Sequence, residues 1–237
     1  MTAQQNIMAG NLARIRTRIA DACARVERTP DSVTLLPVSK TFGADAVRTA
    51  MALGMHRFGE NRVQEMCDKA EQLADVAPRW AVIGHVQTNK AKDIARVASE
   101  VHSLDRLALA EALDRRLQQE GRALDVLVQV KTSDEPSKSG LLPEDLISLL
   151  QALRGIDTLR VQGLMTVAVN SDDQQAVRDC FRRLRELRDQ ARDATGLALE
   201  RLSMGISGDL EIAIEEGATE VRVGSALFGA RDYGVAS

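Results

Sequence analysis

VTLLPVSK, residues 33–40, is a short apolar run that ends in a lysine. Val33, Leu35, Leu36 and Val38 are strand formers with few polar breaks, so the run reads as a buried strand. Lys40 stands where that strand leaves the core, and TFGAD then turns the chain toward a helix. A lysine there has two readings. Partial desolvation lowers the pKa of an amine and makes it a better nucleophile. Alternatively, the stem packs on the core and the ammonium snorkels to water. Pro37 does not fit a strand interior, where it removes a ladder donor, and a bulge or strand end is expected at it.

Outward from this run one unit recurs: apolar run, polar turn, amphipathic helix. The later runs are MHRFGEN (55–61), WAVIGHVQ (80–87), EVHSLD (100–105), LDVLVQVKT (124–132), LRVQGLMTV (159–167), LERLSMGIS (199–207) and TEVRVGSALFG (219–229). EVHSLD is the weak one. Helical spacing follows the runs, as in Val63, Met66, Cys67, Ala70 and Leu73, or Ala176, Val177, Cys180, Phe181, Leu184 and Leu187. Ser171 with Gln174 reads as a capping box for the second of these helices. Eight runs about 25 residues apart, in a chain near the ~250 residues typical of the fold, predict a single-domain α/β protein, a (β/α)8 TIM barrel. A doubly wound open sheet is the alternative and would usually need fewer strands. No linker or composition shift divides residues 1–237.

An extra N-terminal helix is expected at about 5–28, with the barrel at about 33–230. Met8, Leu12, Ile15, Ile19, Cys23 and Val26 give its buried stripe and Pro30 its stop. Arg14, Arg16, Arg18 and Arg25 read as a solvated face.

Composition narrows the function. Net charge is −3, so no global basic field recruits nucleic acid or an acidic membrane. One Trp, one Tyr and four Phe argue against a base-stacking surface. Cys23, Cys67 and Cys180 form no C-x-x-C pair, which fits a reducing compartment. His56, His85 and His102 are not spaced like metal ligands. The N-terminus lacks a secretory h-region and no run approaches membrane-span length, so a cytoplasmic protein is expected.

In a (β/α)8 barrel, functional groups gather at the C-terminal strand ends, with a phosphate site often formed by the loops after strands seven and eight. That rule selects Lys40, Asn61, His85 with Gln87, Met165 with Thr166, Ser207–Gly208–Asp209, and Arg222 with Gly224 and Ser225. Ser207–Gly208 before a short helix, and Gly224–Ser225, form a candidate anion cradle. Ordinary turn chemistry explains each alone. A phosphate cradle opposite a lysine suggests pyridoxal 5′-phosphate, which lysine holds as a Schiff base. Arg222 alternates with Val221 and Val223. It either meets the pyridine ring, where its permanent charge opposes ring protonation, or forms a structural ion pair with Glu220 or Glu211. Glu60 and Glu65 read as solvated or capping residues. Lys138, in the polar loop SDEPSKSG, is a candidate second aldehyde site beside the plainer reading of a mobile loop.

The segments LLPVSKTFGADAV, FGENRVQE, WAVIGHVQTNK, SLDR, VQVKTSDEPSKSG, VQGLMTV and LSMGISGDLEIAIEEGATEVRVGSALFGARDY resemble the pyridoxal phosphate homeostasis family. They cover most of the chain from Val33 to Tyr233. The resemblance implies a monomeric barrel, similar to the N-terminal domain of alanine racemase, with the cofactor on one lysine, which Lys40 matches. Ser207, Arg222, Gly224 and Ser225 match phosphate- and ring-binding positions, and Asn61 a pocket residue. Ala81 stands where the family often has His, Ile206 replaces a commoner Met, and Pro37 a small residue.

The resemblance implies a binding and regulatory protein with no established reaction, possible recipients being apo-enzymes that use the cofactor. A racemase needs two bases, one on each face of the substrate. Lys40 supplies one. The only tyrosine, Tyr233, is in the tail, so no efficient racemase is expected, with turnover below ~1 s⁻¹. A weak amino-acid racemase is the alternative reading.

Overall fold

The structure is a computed structural model that describes residues 2–133, 135 and 138–229; Tyr233 lies outside them. Eight strands form one parallel sheet: β1 (Thr34–Pro37), β2 (Arg57–Glu60), β3 (Arg79–Val82), β4 (Glu100–Leu104), β5 (Leu124–Gln129), β6 (Leu159–Met165), β7 (Arg201–Ser203) and β8 (Glu220–Val223). Their order is β1-β8-β7-β6-β5-β4-β3-β2, and a parallel bridge between Val38 and Gly59 brings the two ends together. This is the (β/α)8 barrel expected from the repeats.

Around it lie α2 (Ala44–Ala52), α3 (Val63–Gln72), α4 (Ala91–Val97), α5 (Leu107–Glu120), α6 (Leu146–Leu153), α7 (Gln174–Thr195), α8 (Leu210–Glu215) and α9 (Ser225–Phe228). The stripe of α7 is Val177, Cys180, Phe181 and Leu184, all buried, and Gly196 ends the helix at φ 70°, where a Cβ would be strained. The expected capping box is absent. Asp173 caps α7 by accepting from Gln175 N–H (2.9 Å), and Ser171 Oγ instead accepts from Asp173 N–H (3.0 Å). The Asp side chain reaches the first turn from two residues closer, so Ser171 is left to brace the entry.

The N-terminal helix α1 (Ala3–Arg25) starts two residues before its expected position and ends three before, and Pro30 opens a 3₁₀ turn (Pro30–Ser32) beyond it. It packs on α8 and α9. Its arginines are not simply solvated: Arg18 Nε donates to Glu211 Oε1 (2.6 Å) and Arg25 Nε to Glu215 Oε1 (2.8 Å).

Pro37 now has a physical account. Thr34 N–H and Val38 N–H donate to β8, at Thr219 O and Val223 O (both 2.8 Å), and Ser39 N–H donates to β2 at Gly59 O (3.0 Å). Alternation therefore aims the Pro37 nitrogen at β2. With no proton there the seam cannot zip below Gly59, and among the described residues the two strands are bridged at Val38 and Gly59 alone. A cavity of ≈ 660 Å³ opens along the lower part of this seam, lined in part by Leu35, Pro37, Met55 and Arg57.

The barrel interior is charged near its N-terminal end. Arg57, Glu100, His102, Arg201 and Glu220 meet there. Arg57 Nη1 donates to Glu100 Oε2 (2.9 Å) and its Nη2 to Glu220; Arg201 Nη2 donates to Glu100 Oε2 (2.8 Å) and Glu220 Oε2 (2.9 Å). His102 lies between the carboxylates, with Nε2 2.7 Å from Glu100 and Nδ1 3.4 Å from Glu220. Burial opposes ionisation of Glu220, but His102, Arg57 and Arg201 outweigh it and hold its pKa down at about 2.

Candidate functional site at the barrel mouth

Lys40 continues the inward face of the first strand. A Cβ at Gly59 would meet the side chains of Leu36 (3.3 Å), Val38 (3.4 Å) and Ile83 (3.2 Å), so Leu36 and Val38 point into the barrel, and Lys40 is next in that alternation. It is half-buried. The next residue, Thr41, has φ 68°. A β-branched residue in the left-handed region is a genuine outlier, held only when its surroundings demand it.

β8 delivers Arg222 to the same interior. Val38 N–H bonds Val223 O, and a Cβ at Gly224 would stand 3.3 Å from Val38 O, so strands one and eight leave the barrel in contact. Arg222 is only 4% exposed. Its Nη1 donates to Ser203 O (2.7 Å) and Ser203 Oγ (2.9 Å), and its Nη2 to Thr166 O (2.7 Å). All three acceptors are neutral. Neither Glu220 nor Glu211 pairs with it: the first is engaged by Arg57 and Arg201, the second by Arg18. Burial lowers the Arg222 pKa, with the charges of Glu220 and Asp209 opposing that shift from a distance. A guanidinium carries five N–H donors. Three are used, and among the described residues the other two have no acceptor.

Thr166 anchors the end of β6 beside Arg222. Its Oγ1 donates to Val130 O (2.8 Å) and lies 3.0 Å from Thr132 Oγ1; Met165 next to it is buried. After β7 the chain turns through Gly205 at φ 94°, where a Cβ would come within 2.5 Å of the Ala213 Cβ. Ser207 is half-buried, its carbonyl held by Arg18 Nη2 (2.9 Å). Asp209 Oδ1 accepts from Ile206 N–H (2.6 Å). After β8, Gly224 O accepts from Leu227 (2.9 Å) and Phe228 (3.1 Å), so the helix's own bonding starts past Ser225, whose hydroxyl is exposed. Phe42 stacks on Phe228 with ring centroids 5.0 Å apart, tying the Lys40 loop to this corner.

Asn61 follows β2 on the same rim. Gly84 after β3 touches it: a Cβ there would fall 2.2 Å from Asn61 O. Gly84→Ala is therefore expected to push the Asn61 loop outward and cost about 1–3 kcal/mol, read by thermal denaturation. His85 is exposed, its Nδ1 3.4 Å from Asp105 Oδ2.

Three sequence readings change. Glu60 and Glu65 are not solvated caps. Glu60 is fully buried, and Lys69, which the sequence reading passed over, is 5% exposed beside it. Lys69 Nζ donates to Ser39 O (2.7 Å), Glu60 Oε1 (2.6 Å) and Glu65 Oε1 (2.7 Å). The available signal was position: Lys69 falls on the apolar stripe of α3, between Met66 and Leu73. The polar loop after β5 is less free than expected, because Leu141 pairs back on Val130. Lys138 is partly covered, with its Nζ 3.7 Å from Glu135 Oε2.

A parallel barrel with a half-buried lysine ending strand one and a buried arginine on strand eight defines a class. The family model described as alanine racemase, N-terminal domain, matches residues 10–232. An alanine racemase from Corynebacterium glutamicum shares the fold at TM-score 0.68 and 18% identity, over 98% of this chain and 62% of that one. Within that class the chain belongs to the pyridoxal phosphate homeostasis protein family. It is 46% identical to the family member of Pseudomonas aeruginosa over 96% of this chain and 97% of that protein. PipY of Synechococcus elongatus, solved with pyridoxal phosphate bound, superposes at TM-score 0.79 with 37% identity, covering 89% of this chain and all of that one. The curated relatives carry the name of homeostasis proteins, not of enzymes. Among the described residues no helix is long and apolar enough to cross a membrane.

Proposed function

We propose that this chain holds pyridoxal 5′-phosphate at the barrel mouth, bound reversibly through Lys40, and releases it to apo-enzymes of the cytoplasm. The observation that carries the reading is Arg222, a buried cation whose three hydrogen bonds all go to neutral acceptors and whose other two N–H donors have no acceptor among the described residues. A buried charge with no carboxylate hydrogen-bonded to it is costly, and a bound anionic ligand would offset that cost. Lys40 would supply the amine for a reversible bond to the aldehyde carbon, with one water released on binding and taken up again on release. Asn61 and Met165 would border the ring. Ser207, Gly224 and Ser225 take the phosphate through amides and hydroxyls at the corner beside α8 and α9. When bound, the group supplies electrophilic carbonyl chemistry. Arg222 would limit its use: a permanently charged guanidinium facing the ring would oppose protonation of the ring nitrogen. The chain therefore reads as a monomeric carrier more than a racemase.

The test is spectroscopic. Adding the cofactor to the purified protein should raise the visible band of a lysine imine, and Lys40→Ala should show none. A band that survives in Lys40→Ala would place the attachment on another amine.

A further inference from the structure

Behind Lys40 lies a group of buried charges that cofactor binding does not itself use. Lys69 on α3 spends all three ammonium hydrogens on Ser39 O, Glu60 Oε1 and Glu65 Oε1, at 2.6–2.7 Å. Glu60 Oε1 also accepts from Ser39 Oγ (2.6 Å), and Glu65 Oε1 accepts from Thr41 N–H (2.6 Å). Every one of these bonds ends on Ser39 or Thr41, or on a carboxylate bonded to one of them. The two residues flanking Lys40 are thus tied from both sides to the same helix.

Cost makes the arrangement informative. One ammonium and two carboxylates are withdrawn wholly or partly from water, and Glu60 Oε2 has no hydrogen-bond partner among the described residues. Thr41 is held at φ 68°, where a β-branched residue is strained. A buried ion pair is weak evidence for stability, because packed apolar groups do as well. Strain and buried charge converging on the neighbours of one reactive residue point to placement instead.

We infer that Glu65 and Lys69 are positioning residues for Lys40: Lys69 fixes the Ser39 carbonyl, Glu65 fixes the Thr41 amide, and together they hold the Lys40 backbone where its amine meets the aldehyde. The inference rests on the covalent role proposed for Lys40. It assigns to Glu65 and Lys69 of α3 the control of how tightly the cofactor is held.

The experiment compares Glu65→Ala in two backgrounds, the unmodified chain and Lys40→Ala, by titration with pyridoxal 5′-phosphate and by the fraction trapped with borohydride. Glu65 is partly exposed, so the variant leaves less unpaired charge in the interior than Lys69→Met would. In the unmodified background Glu65→Ala should weaken binding roughly ten- to hundredfold, the range expected when a reacting group is slightly misplaced, and lower the trapped fraction. In the Lys40→Ala background the same change should leave the residual non-covalent affinity unaltered. Glu65→Gln keeps an oxygen for Thr41 N–H and should retain most of the affinity, which serves also if Glu65→Ala fails to fold. Equal weakening in both backgrounds means a general structural role and overturns the inference. So does unchanged binding in the unmodified background, or a Glu65→Gln variant as weak as Glu65→Ala. If Lys40→Ala itself neither weakens binding nor removes trapping, the covalent reading fails first, and that outcome is recognisable without any Glu65 variant.

Discussion

Glu220→Ala is expected to lower the unfolding free energy by about 3–5 kcal/mol, read from urea denaturation, because it removes one partner from a buried ionic network. Glu220 is 1% exposed and is the carboxylate that Arg57, Arg201 and His102 share with Glu100. Without it two guanidiniums face one carboxylate deep in the barrel. The same network fixes an acid limit. The folded pKa of Glu220 is about 2 against an ordinary 4.5, so folding favours its charged form. That contribution is complete above pH 4.5 and is lost as pH falls through about 2. Glu100, also held below its ordinary value once its partners outweigh burial, acts in the same direction. Glu60 opposes them: burial raises its pKa beyond what Lys69 and Ser39 recover, so its contribution improves as pH falls. The stability of the unmodified chain should therefore drop between pH 4.5 and 2, and Glu220→Ala should flatten part of that drop. A variant of unchanged stability would mean that the network is a scaffold of no net value.

Arg222→Leu is expected to weaken pyridoxal 5′-phosphate binding about ten- to hundredfold in a fluorescence titration. The loss corresponds to one hydrogen bond from a charged donor, about 1.5–3 kcal/mol. Its effect on folding should be smaller than that of Glu220→Ala, because two consequences oppose each other. Ser203 Oγ and Thr166 O lose this donor, at about 1–3 kcal/mol for an unsatisfied buried group, while Ser203 O keeps the Thr166 N–H (3.2 Å). Against this, a buried cation with no adjacent carboxylate disappears. Unaltered affinity with a large loss of stability would make Arg222 a pillar between β6, β7 and β8 and remove the main support for the proposed function.

Lys40 and Arg222 were legible because both are polar residues at defined places in otherwise apolar runs, and barrel topology sends such places to one face. The same logic explains what was obscured. EVHSLD read as a weak strand because its inward positions, Glu100 and His102, are polar; yet β4 is buried throughout. The charges that weakened the sequence signal are those that fill the barrel's lower interior. Arg57, Arg201 and Glu220 sit on three other strands, and no spacing along the chain shows that they converge. The tie from α3 to Lys40 was hidden for a similar reason: Lys69 meets Ser39 across thirty residues. A lysine on the apolar stripe of α3 was the one visible sign. Pro37 was anomalous in the sequence and became explicable only when the direction of its missing N–H was known.

The central claim is that one amine, at the end of the first strand, holds the cofactor. Borohydride reduction of the protein with pyridoxal 5′-phosphate, followed by peptide mapping, tests it most directly. A single stable label on Lys40 is expected. A label on Lys138, or on any other lysine with Lys40 unmodified, would contradict it.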